Sequence, residues 1–270
     1  MIHNLSYYSH IPWFTKQHIF DWALCAVIFI IESAVFNFAI QPYDRYLPDG
    51  LATFQQIQYP VRADIVPTWL LMVIAFAVPI AVFGAVFAYY KNSNDFHHAC
   101  LGLIQAFTMT MLFTDFLKVA AGRYRPSYAG RVETGRESFI RDGRLSFPSG
   151  HSSVSFASMT FLSMYLCGKL KIFRKSGSPS WKLFIALSPF VVSSLVAVSR
   201  TMDYHHDFSD ILGGTLIGLC FGSFIYSNNF NSLYSRECAL PKNRLNPHYA
   251  NNGLLFATDK DDESITINVM

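Results

Sequence analysis

The sequence predicts an all-α membrane protein, a bundle of six transmembrane helices in one domain. Three observations carry this. Of the 270 residues, 51% are hydrophobic and only 14% are charged, where a soluble domain carries about 25% charged residues. The charges gather between apolar blocks. Each block approaches the roughly 20 apolar residues that a spanning helix needs.

The elements follow in chain order. Residues 1–18 are polar and aromatic, with no cleavable signal peptide, and are expected as a cytoplasmic segment. The Asn4-Leu5-Ser6 sequon within them would then go unused. Apolar runs are expected to span at 19–40, 67–90, 99–121, 151–170, 181–200 and 208–227. The second, "VPTWLLMVIAFAVPIAVFGAVFAYY", is the clearest. The third, fourth and sixth carry Asp115, Lys118, His151 and Asp210, which are costly in a bilayer and therefore functional candidates. His97 and His98 mark the start of the third helix and are not expected to bind metal, because no further ligand stands at a suitable spacing. Residues 19–227 form the membrane domain, and 228–270, with its acidic run "DKDDE", reads as a disordered cytoplasmic tail.

Other function classes are excluded by composition. A net charge of +3 without a basic stripe argues against nucleic acid. Cys25, Cys100, Cys167 and Cys220 lie in apolar segments and Cys238 in the tail, without a CxxC pair, so they read as buried small hydrophobes. Lys and Arg are nearly balanced between the two sides, so the positive-inside rule leaves the orientation open.

Three polar stretches at helix ends on one side carry the chemistry. In "KVAAGRYRP", Lys118 and Arg125 stand about two helical turns apart. "PSGH" brings Ser149, Gly150 and His151 to the start of the fourth helix, where backbone N–H groups and the helix dipole favour a phosphate. "SRTMDYHHDFSD" holds Arg200, His206 and Asp210. Three converging cations demand an anion, and guanidinium forks match phosphate oxygens. Two histidines facing that anion supply a nucleophile and a proton donor. A histidine nucleophile needs one nitrogen free and the other oriented by a carboxylate. Asp210 stands at i+4 from His206, whereas His205 has Ser209 there. His206 is therefore the expected nucleophile, and His205 a loop or packing residue.

The pattern K-x6-RP, PSGH, SR-x5-H-x3-D resembles the signature of the type 2 phosphatidic acid phosphatase (PAP2, lipid phosphate phosphatase) family, with all three blocks in order and spacing. "YPVRADIVPTW", "GRYRP", "SFPSGHSSVSFA" and "SRTMDYHHDFSDILGG" look most like the fungal and plant branch, which includes diacylglycerol pyrophosphate phosphatases. One departure is "SYAGR" after "RP", where relatives often continue with an acidic and then a cysteine-bearing stretch.

The resemblance implies a PAP2-type helical bundle that hydrolyses phosphatidate, diacylglycerol pyrophosphate or lysophosphatidate to phosphate and dephosphorylated lipid. It implies that Lys118, Arg125, Arg200, Ser149 and Gly150 hold the phosphate. His206, oriented by Asp210, would form a phosphohistidine, and His151 would protonate the leaving alkoxide and then activate water. It implies Mg-independence, no cofactor, and a multi-pass protein of an endomembrane or the plasma membrane with a lumenal or extracellular site. A sphingoid-base or isoprenoid phosphate phosphatase is a close alternative; a transporter or an inactive scaffold is a non-enzyme one.

The remaining charges receive ordinary readings. Asp115 is expected to pair with Lys118, one turn away. Asp203 and Asp207 read as surface or capping residues. Arg123, Arg131, Arg136, Arg141 and Arg144 read as solvated loop charges.

Overall fold

The structure, a computed structural model, describes residues 14, 16–36, 40–47, 55–173 and 178–242. The sequon, Arg174, Lys175 and the acidic run of the tail lie outside the described residues. Nine α-helices follow in order among those described: α1 (Lys16–Ala34), α2 (Thr68–Met72), α3 (Val78–Tyr90), α4 (Ser93–Ala121), α5 (Tyr128–Glu133), α6 (Glu137–Asp142), α7 (Gly150–Leu170), α8 (Ser180–Met202) and α9 (Phe208–Asn229). Among the described residues the fold is all-helical, apart from an isolated bridge between Phe230 and Pro241.

Among the described residues, five helical segments are long and apolar enough to cross a membrane: Lys16–Ala34, Thr68–Tyr90, Ser93–Ala121, Ser180–Met202 and Phe208–Asn229. The other expected span, α7, has sufficient length at 21 residues but is rich in serine. Fifteen of those residues are buried, so α7 forms the centre of the bundle rather than its lipid-facing wall. The third expected span also starts earlier, at Ser93, where the Asn92 side chain accepts the Asp95 N–H at 3.1 Å. His97 and His98 therefore lie in the second turn of α4, not at its start.

The packing of α9 on α7 decides where the polar stretches meet. Gly214, Gly218 and Gly222 line one face of α9, and a Cβ there would fall 2.4, 2.5 and 2.6 Å from the carbonyl oxygens of Ser149, Ser153 and Ala157. Small residues at this spacing let two helix backbones touch. A side chain anywhere on this face would push α9 off α7.

Two prolines interrupt the helical ladders, and a serine repairs each. Pro79 has no N–H for the Ala75 carbonyl, and the chain takes a π-helical turn over Val73–Ala77. The Ser158 hydroxyl from α7 donates to that carbonyl. Pro189 likewise leaves the Ile185 carbonyl, which accepts the Ser188 hydroxyl at 2.9 Å. In hydrocarbon such repairs are required.

At the other end of α4, Gly122 closes the helix at φ +51°, and a Cβ there would lie 2.0 Å from the Tyr43 carbonyl oxygen. Tyr43 N–H donates to Val119 O at 2.9 Å, tying residues 40–47 to this end. Residues 230–242 do not leave the bundle where composition alone ends it. Cys238 is buried, Phe230 joins the aromatic core of Phe161, Tyr165 and Tyr226, and the Lys169 ammonium donates to Ala239 O and to Asp95. A buried lysine with two oxygen partners gives this polar stretch its reason to pack.

Candidate active site

The site is built at one end of the bundle, where α4 and α8 finish and α7 and α9 begin. Lys118 stands in the last turn of α4, and its Nζ would lie 3.3 Å from a Cβ on Gly150, the first residue of α7. Glycine there lets the ammonium reach the helix N-terminus. Ser149 caps α7 by accepting the Ser152 N–H at 3.5 Å, and its own N–H donates to Asp210 O at 2.9 Å. That last bond joins the starts of α7 and α9.

Asp210 is fully buried and its carboxylate accepts three hydrogen bonds. Oδ2 accepts the Ser146 hydroxyl at 2.6 Å and the Asp207 N–H at 3.1 Å; Oδ1 accepts Arg123 at 2.8 Å. The reciprocal capping box of Asp207 and Asp210 starts α9. His206 Nδ1 lies 3.6 Å from Asp210 Oδ2 and 3.5 Å from Ser146 Oγ. These are orienting contacts, longer than a formed hydrogen bond, and catalytic contacts commonly tighten only when substrate binds. With Nδ1 facing the carboxylate, Nε2 is the ring nitrogen that Asp210 does not engage. His206 precedes α9, so the pair meets across the helix N-terminus rather than on one helical face, as spacing alone implied.

His205 turns the other way. Its Nδ1 lies 3.0 Å from Asp203 Oδ1 and its Nε2 lies 3.2 Å from Asp64 Oδ1. The same two carboxylates hold Arg200, at 2.9 Å from Asp64 and 2.8 Å from Asp203. Asp203 is therefore neither a surface residue nor a simple cap: it is 1% exposed. Burial would raise its pKa, but the His205 hydrogen bond and Arg200 outweigh this and hold it below the usual carboxylate value.

Arg125 donates to Asp142 Oδ1 at 2.8 Å and to the Asp142 carbonyl at 3.0 Å. Arg131 takes the other oxygen, Oδ2, at 2.6 Å. Lys118 pairs more loosely with Asp115 at 3.8 Å, the ion pair the spacing suggests.

The solvated-loop reading fails for most of the loop arginines. Arg123 bridges Asp207 and Asp210, and Arg131 is 1% exposed against Asp142. Arg141 donates to the Phe36 and Ile40 carbonyls, and Arg144 to Asp44. Arg136 alone among the five is exposed. A guanidinium offers five donors, and here they stitch an irregular loop whose carbonyls no helix satisfies. Sequence reasoning missed Arg123, Ser146, Asp64 and Asp142. Only Asp207 and Asp210, two adjacent-turn carboxylates wanting a counter-charge, hinted at Arg123.

The segment 58–67 covers the site. Tyr59 stacks on Tyr204 with ring centroids 4.9 Å apart, and the Arg62 guanidinium lies over the same Tyr204 ring. The Val66 carbonyl oxygen sits 3.0 Å from His151 Nε2 and 3.4 Å from Arg200. A carbonyl only accepts, so His151 carries its proton on Nε2 here.

Electrostatics tie the parts together. The pKa of His206 is driven well below its usual 6.5, first by burial and then by the charges of Arg125, Lys118 and Arg200 and by His151. Burial and these charges thus favour the neutral imidazole. Three cations, two histidines and a helix N-terminus address one small volume, which suits a phosphoryl group.

Residues 99–234 match the family model described as the PAP2 superfamily. The chain is 62% identical to a PA-phosphatase related-family protein of Dictyostelium discoideum, over 95% of this chain and 96% of the relative. It is 35% identical to lipid phosphate phosphatase 2 of Arabidopsis thaliana, covering 85% of this chain and 83% of that one. It is 30% identical to diacylglycerol pyrophosphate phosphatase 1 of Saccharomyces cerevisiae, covering 77% and 80%. No solved structure gave a significant match.

Proposed function

This chain belongs to the PAP2 superfamily and is a multi-pass membrane phosphatase, and on that premise we propose that it hydrolyses phosphatidate, and with it diacylglycerol pyrophosphate and lysophosphatidate, through a phosphohistidine on His206. The observation that carries the reading is the contrast between the two adjacent histidines. His206 turns Nδ1 to a buried carboxylate and leaves Nε2 clear of it, whereas both nitrogens of His205 are engaged.

In the proposed reaction the phosphate displaces carboxylates from Arg200 and Arg125 and takes the Lys118 ammonium and the α7 N-terminus as further donors. His206 Nε2 attacks phosphorus in line, and the bond to the lipid oxygen breaks. Asp210 steadies the positive charge that grows on the ring. His151, doubly protonated once the anionic substrate has brought a proton into the site, turns from the Val66 carbonyl, gives its Nε2 proton to the departing alkoxide and is left as the neutral imidazole. It then takes a proton from water, whose oxygen attacks phosphorus and frees His206 and inorganic phosphate. The three cations neutralise the equatorial oxygens, the work a metal ion does elsewhere. Helix ends at the membrane surface let a headgroup reach the site while its chains stay in the bilayer. We place this face in the lumen or outside the cell. The six-span membrane domain over 19–227 belongs to the same reading.

The test is phosphate release from phosphatidate by detergent-purified protein in excess EDTA, beside His206→Ala and His205→Ala. Activity that survives EDTA and His205→Ala, though weakened in the latter, but is lost in His206→Ala supports the mechanism. Activity that survives loss of His206 overturns it. Preference for a sphingoid-base or isoprenoid phosphate in the same assay would replace the substrate and keep the chemistry.

A further inference from the structure

At the end of the bundle remote from the site, three imidazoles from two helices meet. His18 comes from the first turn of α1, and His97 and His98 from the second turn of α4. The ring centroids lie 4.7 Å (His18–His97), 5.0 Å (His18–His98) and 5.7 Å (His97–His98) apart, all edge-to-face. One ring nitrogen from each lies within 4.8 Å of those of the other two. Along α4, His98 and Lys118 are separated by twenty residues, about 30 Å of helix.

We propose that His18, His97 and His98 form a binding site for a divalent transition-metal ion of the zinc type, which clamps α1 to α4. The donor set is all imidazole, which suits zinc, copper, nickel or cobalt rather than magnesium or calcium. Three histidines leave a fourth position for water, a common coordination for zinc. With metal–nitrogen bonds of 2.0–2.1 Å the donors of a tetrahedral site stand about 3.3 Å apart, so the rings close by at most about 1.5 Å.

The surroundings prepare the donors. His98 Nδ1 lies 2.9 Å from the Asn94 carbonyl and so donates to it, which puts the ring's lone pair on Nε2. A carbonyl on the far nitrogen is the usual device that fixes a ligand's tautomer. Phe14 flanks His18 and His97 with centroids at 6.1 and 5.5 Å, an apolar shell.

One bond must change. The Trp22 indole N–H donates to His97 Nε2 at 3.1 Å, so the ring proton of neutral His97 sits on Nδ1. Ligation through Nδ1 moves that proton to Nε2, facing the indole N–H; ligation through Nε2 takes the lone pair the indole uses. No proton is lost overall, and either way the Trp22–His97 bond opens. Trp22 therefore reports on the ion. The clamp has a physical purpose, because α1 is the outermost helix, packed chiefly on α4 and exposing Phe20, Leu24, Val27 and Ile30. The other cluster of metal-type side chains, Asp64, Asp203 and His205, already surrounds a cation, Arg200.

The test uses the full chain in detergent, free of any affinity tag, stripped with a chelator and titrated with Co²⁺ and then Zn²⁺. The expected result is one equivalent of Co²⁺ retained through gel filtration, with the visible bands of tetrahedral cobalt, displaced by Zn²⁺ and accompanied by a change in tryptophan fluorescence that Trp22→Phe removes. His18→Gln and His98→Gln should abolish the bands while phosphate release continues, which also shows that the variants fold. Wild-type protein retaining under about a tenth of an equivalent overturns the proposal without reference to any variant. Equal cobalt binding by wild type and His98→Gln, or binding lost instead in His205→Gln, overturns it as well. EDTA-resistant phosphatase activity bears on the catalytic reading alone.

Discussion

Arg123 holds Asp210: Nη1 stands 2.8 Å from Oδ1 of a carboxylate that is wholly buried, while Nη2 takes Asp207 at 2.7 Å. Two stretches 87 residues apart are thereby joined, and the carboxylate that faces the candidate nucleophile is fixed by a guanidinium already held by two carboxylates. Arg123 is a positioning residue. Arg123→Ala should lower kcat by roughly 10–100-fold with little change in KM, the scale seen when a group that orients a reactive side chain is lost. Arg123→Lys should recover part of it. A change confined to KM would mean that Arg123 touches substrate instead.

On the proposed mechanism Asp64 and the phosphate compete for Arg200. The Asp64 carboxylate lies 2.9 Å from Arg200 and 3.2 Å from His205 Nε2. Asp64→Asn should therefore strengthen inhibition by orthovanadate by roughly 3–10-fold, the worth of a half-exposed charge pair. Weaker inhibition would show that Asp64 aims Arg200 rather than competing for it.

His206 links stability to pH. Below its usual pKa of 6.5 the unfolded chain takes a proton that the folded chain refuses, because burial and Arg125, Lys118 and Arg200 disfavour the charged ring. The unfolded state then binds more protons, so stability falls as pH drops from 6.5 toward the depressed folded value. His206→Asn should lose less thermal stability than wild type over that window, measured by unfolding in detergent at several pH values. Parallel losses would mean that His206 is protonated in the folded protein.

Gly218 sets the distance between α7 and α9. A Cβ there meets the Ser153 carbonyl at 2.5 Å and the Ala157 nitrogen at 2.7 Å, both rigid backbone. Gly218→Ala should cost about 1–3 kcal/mol, as overpacking does, lowering Tm by several degrees. It should also reduce kcat, because the Ser149–Asp210 bond lies at the end of the same face. Unchanged Tm would show that the helices can separate freely.

Glu32 and Asp115 form a carboxyl pair from α1 and α4 beside Lys118. Glu32→Gln keeps the shape and removes one acid, so Lys118 should lose part of the negative charge around it. Substrate KM should change several-fold, and activity should persist. Total loss of activity would place Glu32 in the reaction itself.

The helical class, the membrane setting and the three polar motifs that meet at one end of the bundle were legible in the sequence, because apolar length and local spacing are one-dimensional properties. Lys118, Ser149, Gly150 and His151 sit within a turn of a helix end, so their neighbourhood follows from the chain itself. His206 was chosen over His205 by a spacing to Asp210 that the fold realises by another route, across a loop. The partners of the cations were not legible. Asp64, Asp142 and Arg123 come from loops, and which loop folds over which helix end depends on how closely α7 and α9 pack.

The three-histidine cluster makes the same division. Two of its members are adjacent in the chain and suggest nothing more than a helix start; the third stands 79 residues away. The sequence by itself determined the helices, their polar ends and the chemical identity of the groups placed there. The tertiary structure alone decided which groups share a volume, because burial sets the cost of each unpaired charge, and only packed helices bury.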